Sequence, residues 1–208
     1  PATSEEKKIE CKNAEKYIYE LIKSDLKPRD IITPTSIENG IKLGIILGGS
    51  TNLVLHMLAI AHSFDIKLEL NDFSKFNELP LLANLKPSGE YLMNDLHHMG
   101  GMSKVIKYLI QNNIINGSTL TITGQTLWDN VKDCDDLNFN SQDIIYPLQN
   151  PIKQDSHIRI LYGNIAPKGS VSKITGKEGT HFKGYALVYN NEDDFLIDLK
   201  NNKIKKGS

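Results

Sequence analysis

The chain has 208 residues, 39% of them hydrophobic and 24% charged, with a formal net charge of −1. That length accommodates one large domain or slightly more, and the composition is that of a chain able to bury a sizeable core. The charge balance leaves no basic face for nucleic acid or an anionic membrane, so neither is expected as a partner.

No apolar run reaches the roughly 18 residues needed to cross a bilayer. The longest candidates, residues 43–47 and 53–61, are interrupted by Gly48, Gly49 and His56. Cys11 and Cys134 lie far apart with no CxxC spacing and read as two free thiols. The chain opens at Pro1 without an initiator methionine and closes on Lys205, Lys206, Gly207 and Ser208. It therefore reads as an internal piece of something longer.

In chain order, Thr3 or Ser4 is expected to cap a helix with Glu5 and Glu6 in its first turn. Ile9, Tyr17, Ile18, Leu21 and Ile22 recur near the helical period up to Pro28, which predicts an amphipathic helix lying on a core. Thr33 followed by Pro34 suits an N-cap and first helical position for a second helix that ends at Gly48 and Gly49. Gly40 and Gly44 cost that helix propensity, so close packing is their expected reason. Residues 53–61 are apolar nearly all round and predict a buried helix.

Residues 67–70 alternate like a short strand, Asp72 can cap a brief helix through Phe76, and residues 81–85 read as a strand entering the Pro87-Ser88-Gly89 turn. After Gly100 and Gly101, the residues Met102, Val105, Ile106, Leu109 and Ile110 mark a helix ending at Asn112 and Asn113. A strand over 120–122 and a helix over 126–131 follow, and alternation of this kind is the pattern of an α/β layer fold. Residues 133–154 are rich in Asp, Asn and Gln, with Pro147 and Pro151, and resemble a linker. From Ile158 the pattern turns to β, in IRILYGNIAP, SVSKITG and YALVY, before one helix near 190–200.

The densest polar chemistry lies in residues 85–101, LKPSGEYLMNDLHHMGG, where Asn94, Asp95, His97 and His98 crowd between a Pro-Gly turn and a diglycine. Adjacent residues on a helix point to different sides, so one histidine of this pair at most faces a pocket. GGSTN, residues 48–52, precedes a helix and can offer amides and hydroxyls to an anion or act as an ordinary helix corner. His56 and His62 stand six apart, off the i,i+4 spacing of helical metal ligands, and read as core or helix-end residues. Glu192, Asp193 and Asp194 are accounted for by the first turn of the last helix. No GxSxG elbow is present for a serine nucleophile.

Four blocks carry a resemblance: GGSTNLVLHMLAIA, LLANLKPSGEYLMNDLHHMGGMSKVIKYL, NGSTLTITGQTLWDNV and ILYGNIAPKGSVSKITGKEG. Their order and spacing resemble the dihydroxy-acid and sugar-acid dehydratase family. The dihydroxy-acid dehydratase branch is favoured, because phosphogluconate dehydratases carry a YPNG-type turn where this chain has Lys86, Pro87, Ser88 and Gly89. Pentonate-type sugar-acid dehydratases are the nearest rivals, and a non-catalytic assembly module is the alternative of another class.

The resemblance implies a hydro-lyase that converts 2,3-dihydroxy-3-methylbutanoate and its 3-methylpentanoate homologue to 2-oxo acids, on the routes to valine and isoleucine. It implies an iron–sulfur cluster and Mg²⁺ in the parent enzyme, and a serine alkoxide as base. Matched to the family, the cluster cysteines, the Mg²⁺ ligands and the serine lie outside this segment, which leaves it with no catalytic or metal-binding residue and inactive alone. Ser50, Thr51, Asp95 and His97 are the candidates for the edge of the substrate cavity, and Asn94 stands where the family usually has Glu.

The fold class implied is α/β. Residues 1–133 are the end of a helix-flanked N-terminal domain, 134–156 a linker, and 157–208 the first strands of a C-terminal β-barrel domain. The parent is expected as a homodimer in the cytoplasm, or in an organelle stroma or matrix in a eukaryote.

Overall fold

A computed structural model of the chain describes residues 3–176, 179, 181–205 and 207. It divides into two compact units, Pro1–Thr175 and Gly176–Ser208. The larger unit holds helices α1 (Glu5–Lys23), α2 (Pro28–Ile31), α3 (Pro34–Ile46) and α4 (Asn52–Ser63), then a 3₁₀ helix over Leu70–Phe76. Helices α5 (Met93–His98), α6 (Gly101–Gln111) and α7 (Leu127–Val131) follow, and then strands β1 (Ile158–Leu161) and β2 (Ser170–Lys173).

The caps are where local chemistry places them. Ser4 accepts the Lys7 N–H at 3.2 Å to start α1. Thr33 and Ser36 cap each other, with Ser36 N donating to Thr33 Oγ1 at 3.2 Å and Thr33 N to Ser36 Oγ at 2.8 Å. Pro34 sits at the first position of α3, where its missing N–H costs nothing. α3 then approaches α4 closely: a Cβ on Gly44 would lie 2.6 Å from a Leu53 methyl, and one on Gly40 would lie 3.1 Å from Met57 Cε. The two glycines do serve close packing.

The core of this unit has two apolar clusters. One gathers Ile46, Leu82, Leu85, Leu96, Val105, Leu109, Ile144 and Ile145, and the other Ile37, Ile41, Ile45, Val54, Ala61, Phe73 and Ile158. Asn39 is buried on α3 with its amide spent on residue 116, donating to Asn116 O and accepting from Asn116 N at 2.8 Å each. The Asp/Asn/Gln-rich stretch reaches the first cluster through Ile144 and Ile145. It also runs antiparallel to residues 81–85 through bridges Leu81 to Lys153 and Ala83 to Ile145.

Several local expectations are corrected. α1 buries none of its residues, and Ile9, Tyr17, Ile18 and Ile22 are exposed. Periodicity makes an apolar face but does not supply a surface to cover it. α4 buries Val54 and Ala61 and leaves Leu55 and Ile60 exposed, since one side of it meets α3 and the 3₁₀ helix. His56 and His62 are likewise exposed on α4, with His62 in its last turn.

Residues 67–70 form no strand, because Asp72 captures the Glu69 N–H at 2.7 Å and turns the chain into the 3₁₀ helix. The strands expected at 81–85 and 120–122 are reduced to isolated bridges. β1 and β2 make an antiparallel hairpin with Ile158 opposite Lys173.

The smaller unit contains α8 (Glu192–Lys200), capped by Asn191 Oδ1 accepting the Asp194 N–H at 2.8 Å. Glu192, Asp193 and Asp194 occupy its first turn. Residues 181–189 pair with no other strand among the described residues. Of the closing residues 205–208, Lys206 and Ser208 lie outside the described residues, as does Pro1.

The approach at Gly44 gives a direct test. Gly44→Val should lower the stability of the full-length protein by about 1–3 kcal/mol through overpacking against Leu53, read as a lower urea midpoint at unchanged slope.

Candidate functional site

The two sequence-predicted groups occupy different elements. Ser50 and Thr51 stand on the GGSTN corner between α3 and α4, and Asp95 and His97 stand on α5. Asp95 is at the third position of α5, where its Oδ2 accepts the Leu92 N–H at 2.7 Å. One carboxylate oxygen is thus engaged in starting the helix. His97 is exposed, with Nε2 4.0 Å from Glu6 Oε2, and an exposed contact of that length contributes little.

His97 lines a cleft of about 410 Å³ with Glu6, Glu10, Met93 and Asn94. The His98 ring is tilted against that of His97 at 5.8 Å, and its Nδ1 lies 3.5 Å from Asn94 Nδ2.

The GGSTN corner is built differently. Gly48 adopts φ +79°, a left-handed conformation that ends α3 without a Cβ penalty. Gly48 N donates to Ile45 O at 3.1 Å and Gly49 N to Gly44 O at 2.8 Å. The chain then turns into α4 with Leu53 N and Val54 N donating to Ser50 O and Thr51 O. Thr51 precedes α4 in helical φ/ψ and makes no side-chain cap. Ser50, Thr51 and Asn52 are all exposed.

Sequence reasoning missed what holds this corner. His157 Nε2 lies 2.7 Å from Gly49 O and donates to it, and Lys173 Nζ donates to Gly48 O at 3.0 Å. Both side chains come from the hairpin, which is closed below β1 by Ile174 N donating to His157 O at 2.7 Å. His157 is wholly buried, and its Nδ1 has no hydrogen-bond partner among the described residues. Burial, then the neighbouring Lys173 and Lys153 ammoniums, push its pKa below the usual value despite the Gly49 bond. Burial also lowers the Lys173 pKa. The only signal in the sequence was a histidine beside a β-patterned run; its partner, 108 residues away, was not visible.

Among the described residues, no group of three or more His, Cys, Asp or Glu side chains converges as metal ligands would, and Cys11 and Cys134 are free thiols. The residues described therefore do not fit an iron–sulfur or Mg²⁺ site, and no step can be routed through either group here. No helix is long and apolar enough to cross a membrane among these residues.

A pH dependence follows from His157. Between its lowered folded value and the ordinary 6.5, the unfolded chain binds a proton that the folded chain does not. Stability should therefore rise as pH rises through that window and level off above about 6.5. Chemical denaturation of the full-length protein at about pH 5 and about pH 7 should show a larger gain for wild type than for His157→Gln.

Comparisons with known proteins give the family. Residues 1–130 match the dihydroxy-acid/6-phosphogluconate dehydratase N-terminal model, and residues 143–208 match the corresponding C-terminal model. The chain is 49% identical over 208 residues to a dihydroxy-acid dehydratase of Flavobacterium psychrophilum, covering all of this chain and 37% of that protein. It is 48% identical over 208 residues to the mitochondrial dihydroxy-acid dehydratase of Saccharomyces cerevisiae, covering all of this chain and 35% of that protein. The chain thus spans little more than a third of the length of the curated relatives it matches. With both halves matched in order and the blocks of the corner and of α5 falling inside them, the chain belongs to the dihydroxy-acid/6-phosphogluconate dehydratase family.

Proposed function

We propose that the chain is part of a dihydroxy-acid dehydratase, a hydro-lyase acting on 2,3-dihydroxy-3-methylbutanoate and its 3-methylpentanoate homologue. The observation that carries this reading is near-half identity, over the whole chain, to proteins bearing that name in a bacterium and a yeast. The reaction removes the proton from carbon 2 and the hydroxyl from carbon 3 as water, and the enol left behind tautomerises to the 2-oxo acid. The 2-oxo acids belong to valine and isoleucine synthesis.

In this reading the base, the iron–sulfur cluster and the Mg²⁺ belong to parts of the parent outside residues 1–208. This chain contributes walls and orienting groups. Ser50 and Thr51, whose hydroxyls make no hydrogen bond among the described residues, would meet the hydroxyl and carboxylate oxygens of the substrate. Asp95 and His97 on α5 would border the cavity.

The same reading takes residues 1–133 as the end of an N-terminal α/β domain, 134–156 as a linker, and 157–208 as the opening of a C-terminal β-barrel domain. The β1–β2 hairpin would be its first two strands, with edges left for further strands. The parent is read as a homodimer of the cytoplasm, or of an organelle in a eukaryote, in keeping with the mitochondrial yeast relative.

The test is an assay of 2-oxo acid formation by the full-length protein. Turnover of 2,3-dihydroxy-3-methylbutanoate well above that of 6-phosphogluconate or a pentonate is expected, and the reverse order would move the protein to a sugar-acid branch. Residues 1–208 alone, given iron, sulfide and Mg²⁺, should form no 2-oxo acid.

A further inference from the structure

Ser50, Thr51 and Asn52 are exposed polar residues in sequence, and none of their side chains makes a hydrogen bond among the described residues. Such groups on a loose loop would have no fixed direction. Here the loop behind them is fastened at two consecutive carbonyls, Gly48 O by Lys173 and Gly49 O by His157. The fastening is made of unusual parts. A half-buried lysine ammonium meets a neutral carbonyl, and among the described residues no carboxylate pairs with it.

A histidine is buried whole to make one bond while its other ring nitrogen has no partner among the described residues. Apolar side chains would hold a corner at lower desolvation cost, because burying charge and unpaired polar atoms opposes folding. The glycines add to the constraint: a Cβ on Gly49 would lie 2.8 Å from Gly44 O.

We propose that His157 and Lys173 are positioning residues, which act through the Gly49 and Gly48 carbonyls to aim Ser50, Thr51 and Asn52 at the bound dihydroxy acid. This rests on the function proposed above. Lys173 acts on substrate through the corner and not by contact, since its ammonium donates to Gly48 O. The hairpin carrying both residues lies in the stretch matched by the C-terminal family model, and the corner in the stretch matched by the N-terminal one. The two family regions are thereby joined at the loop that meets substrate.

The experiment is a double-mutant cycle in the full-length protein between Lys173→Met and Thr51→Ala, with hydrogen exchange at residues 50–54 as a second readout. Each single change should lower kcat/KM about tenfold, and the double no more than about tenfold, because the two remove one interaction. A merely structural lysine would give the multiplied, about hundredfold, effect, and that result overturns the proposal. His157→Gln, which keeps a donor near the Nε2 position, should recover most of what His157→Leu loses, and equal losses would count against the tether.

Lys173→Gln replaces Lys173→Met in the cycle if the latter does not fold. Hydrogen exchange separates the two failures. Faster exchange at residues 50–54 in a parent that turns over no dihydroxy acid would sink the proposed reaction and, with it, the aim at that substrate, while leaving the tether. Unchanged exchange would sink the tether itself.

Discussion

The larger unit depends on the last turn of α3, where two neighbouring residues face two different interiors. Ile45 is buried in the cluster with Val54, Phe73 and Ile158, and Ile46 in the cluster with Leu82, Leu96 and Leu109. Adjacent side chains on a helix diverge by about 100°, so one turn can serve both clusters only if its own end is held firmly. The backbone past that turn is also in use: Ile46 O accepts from Leu82 N and Ala83 N. The corner that follows inherits its position from these contacts, and the carbonyls of Gly48 and Gly49 are left facing the hairpin.

The hairpin completes what α3 begins. Ile158 enters the α3–α4 cluster, and Ile160 and Val171 pack against it, so the strand pair is anchored by apolar contact as well as by the two polar bonds to the corner. This explains how one neutral imidazole and one half-buried ammonium persist there: the apolar burial around them offsets their cost. It also gives a physical meaning to a boundary seen in the family match, because the residues on its far side pack into the core of the near side.

Much of the local structure was legible. Ser4 and Thr33 cap the helices their positions pointed to, since a cap is a bond between a side chain and an amide two or three residues on. The diglycine after α5 and the close packing of Gly44 were legible for a similar reason: both follow from what a missing Cβ permits. The short strands were read less well. Residues 67–70 alternate, but Asp72 offered their backbone a nearer acceptor than any strand could. Residues 81–85 do lie extended, yet their partners are at 145–153, inside a stretch whose polar composition resembled a spacer.

The sequence by itself determined the family, the helix starts and the close approach of α3 to α4, because these are written in local bonds, in missing side chains and in blocks of residues kept in order. Only the tertiary structure decided which apolar faces are covered, and which carbonyls of the GGSTN corner are grasped. α1 shows the first: its period makes a face, but cover is a property of whatever lies opposite. His157 and Lys173 show the second, since a hydrogen bond spanning 108 or 125 residues leaves no pattern in the chain and exists only once both cores have formed.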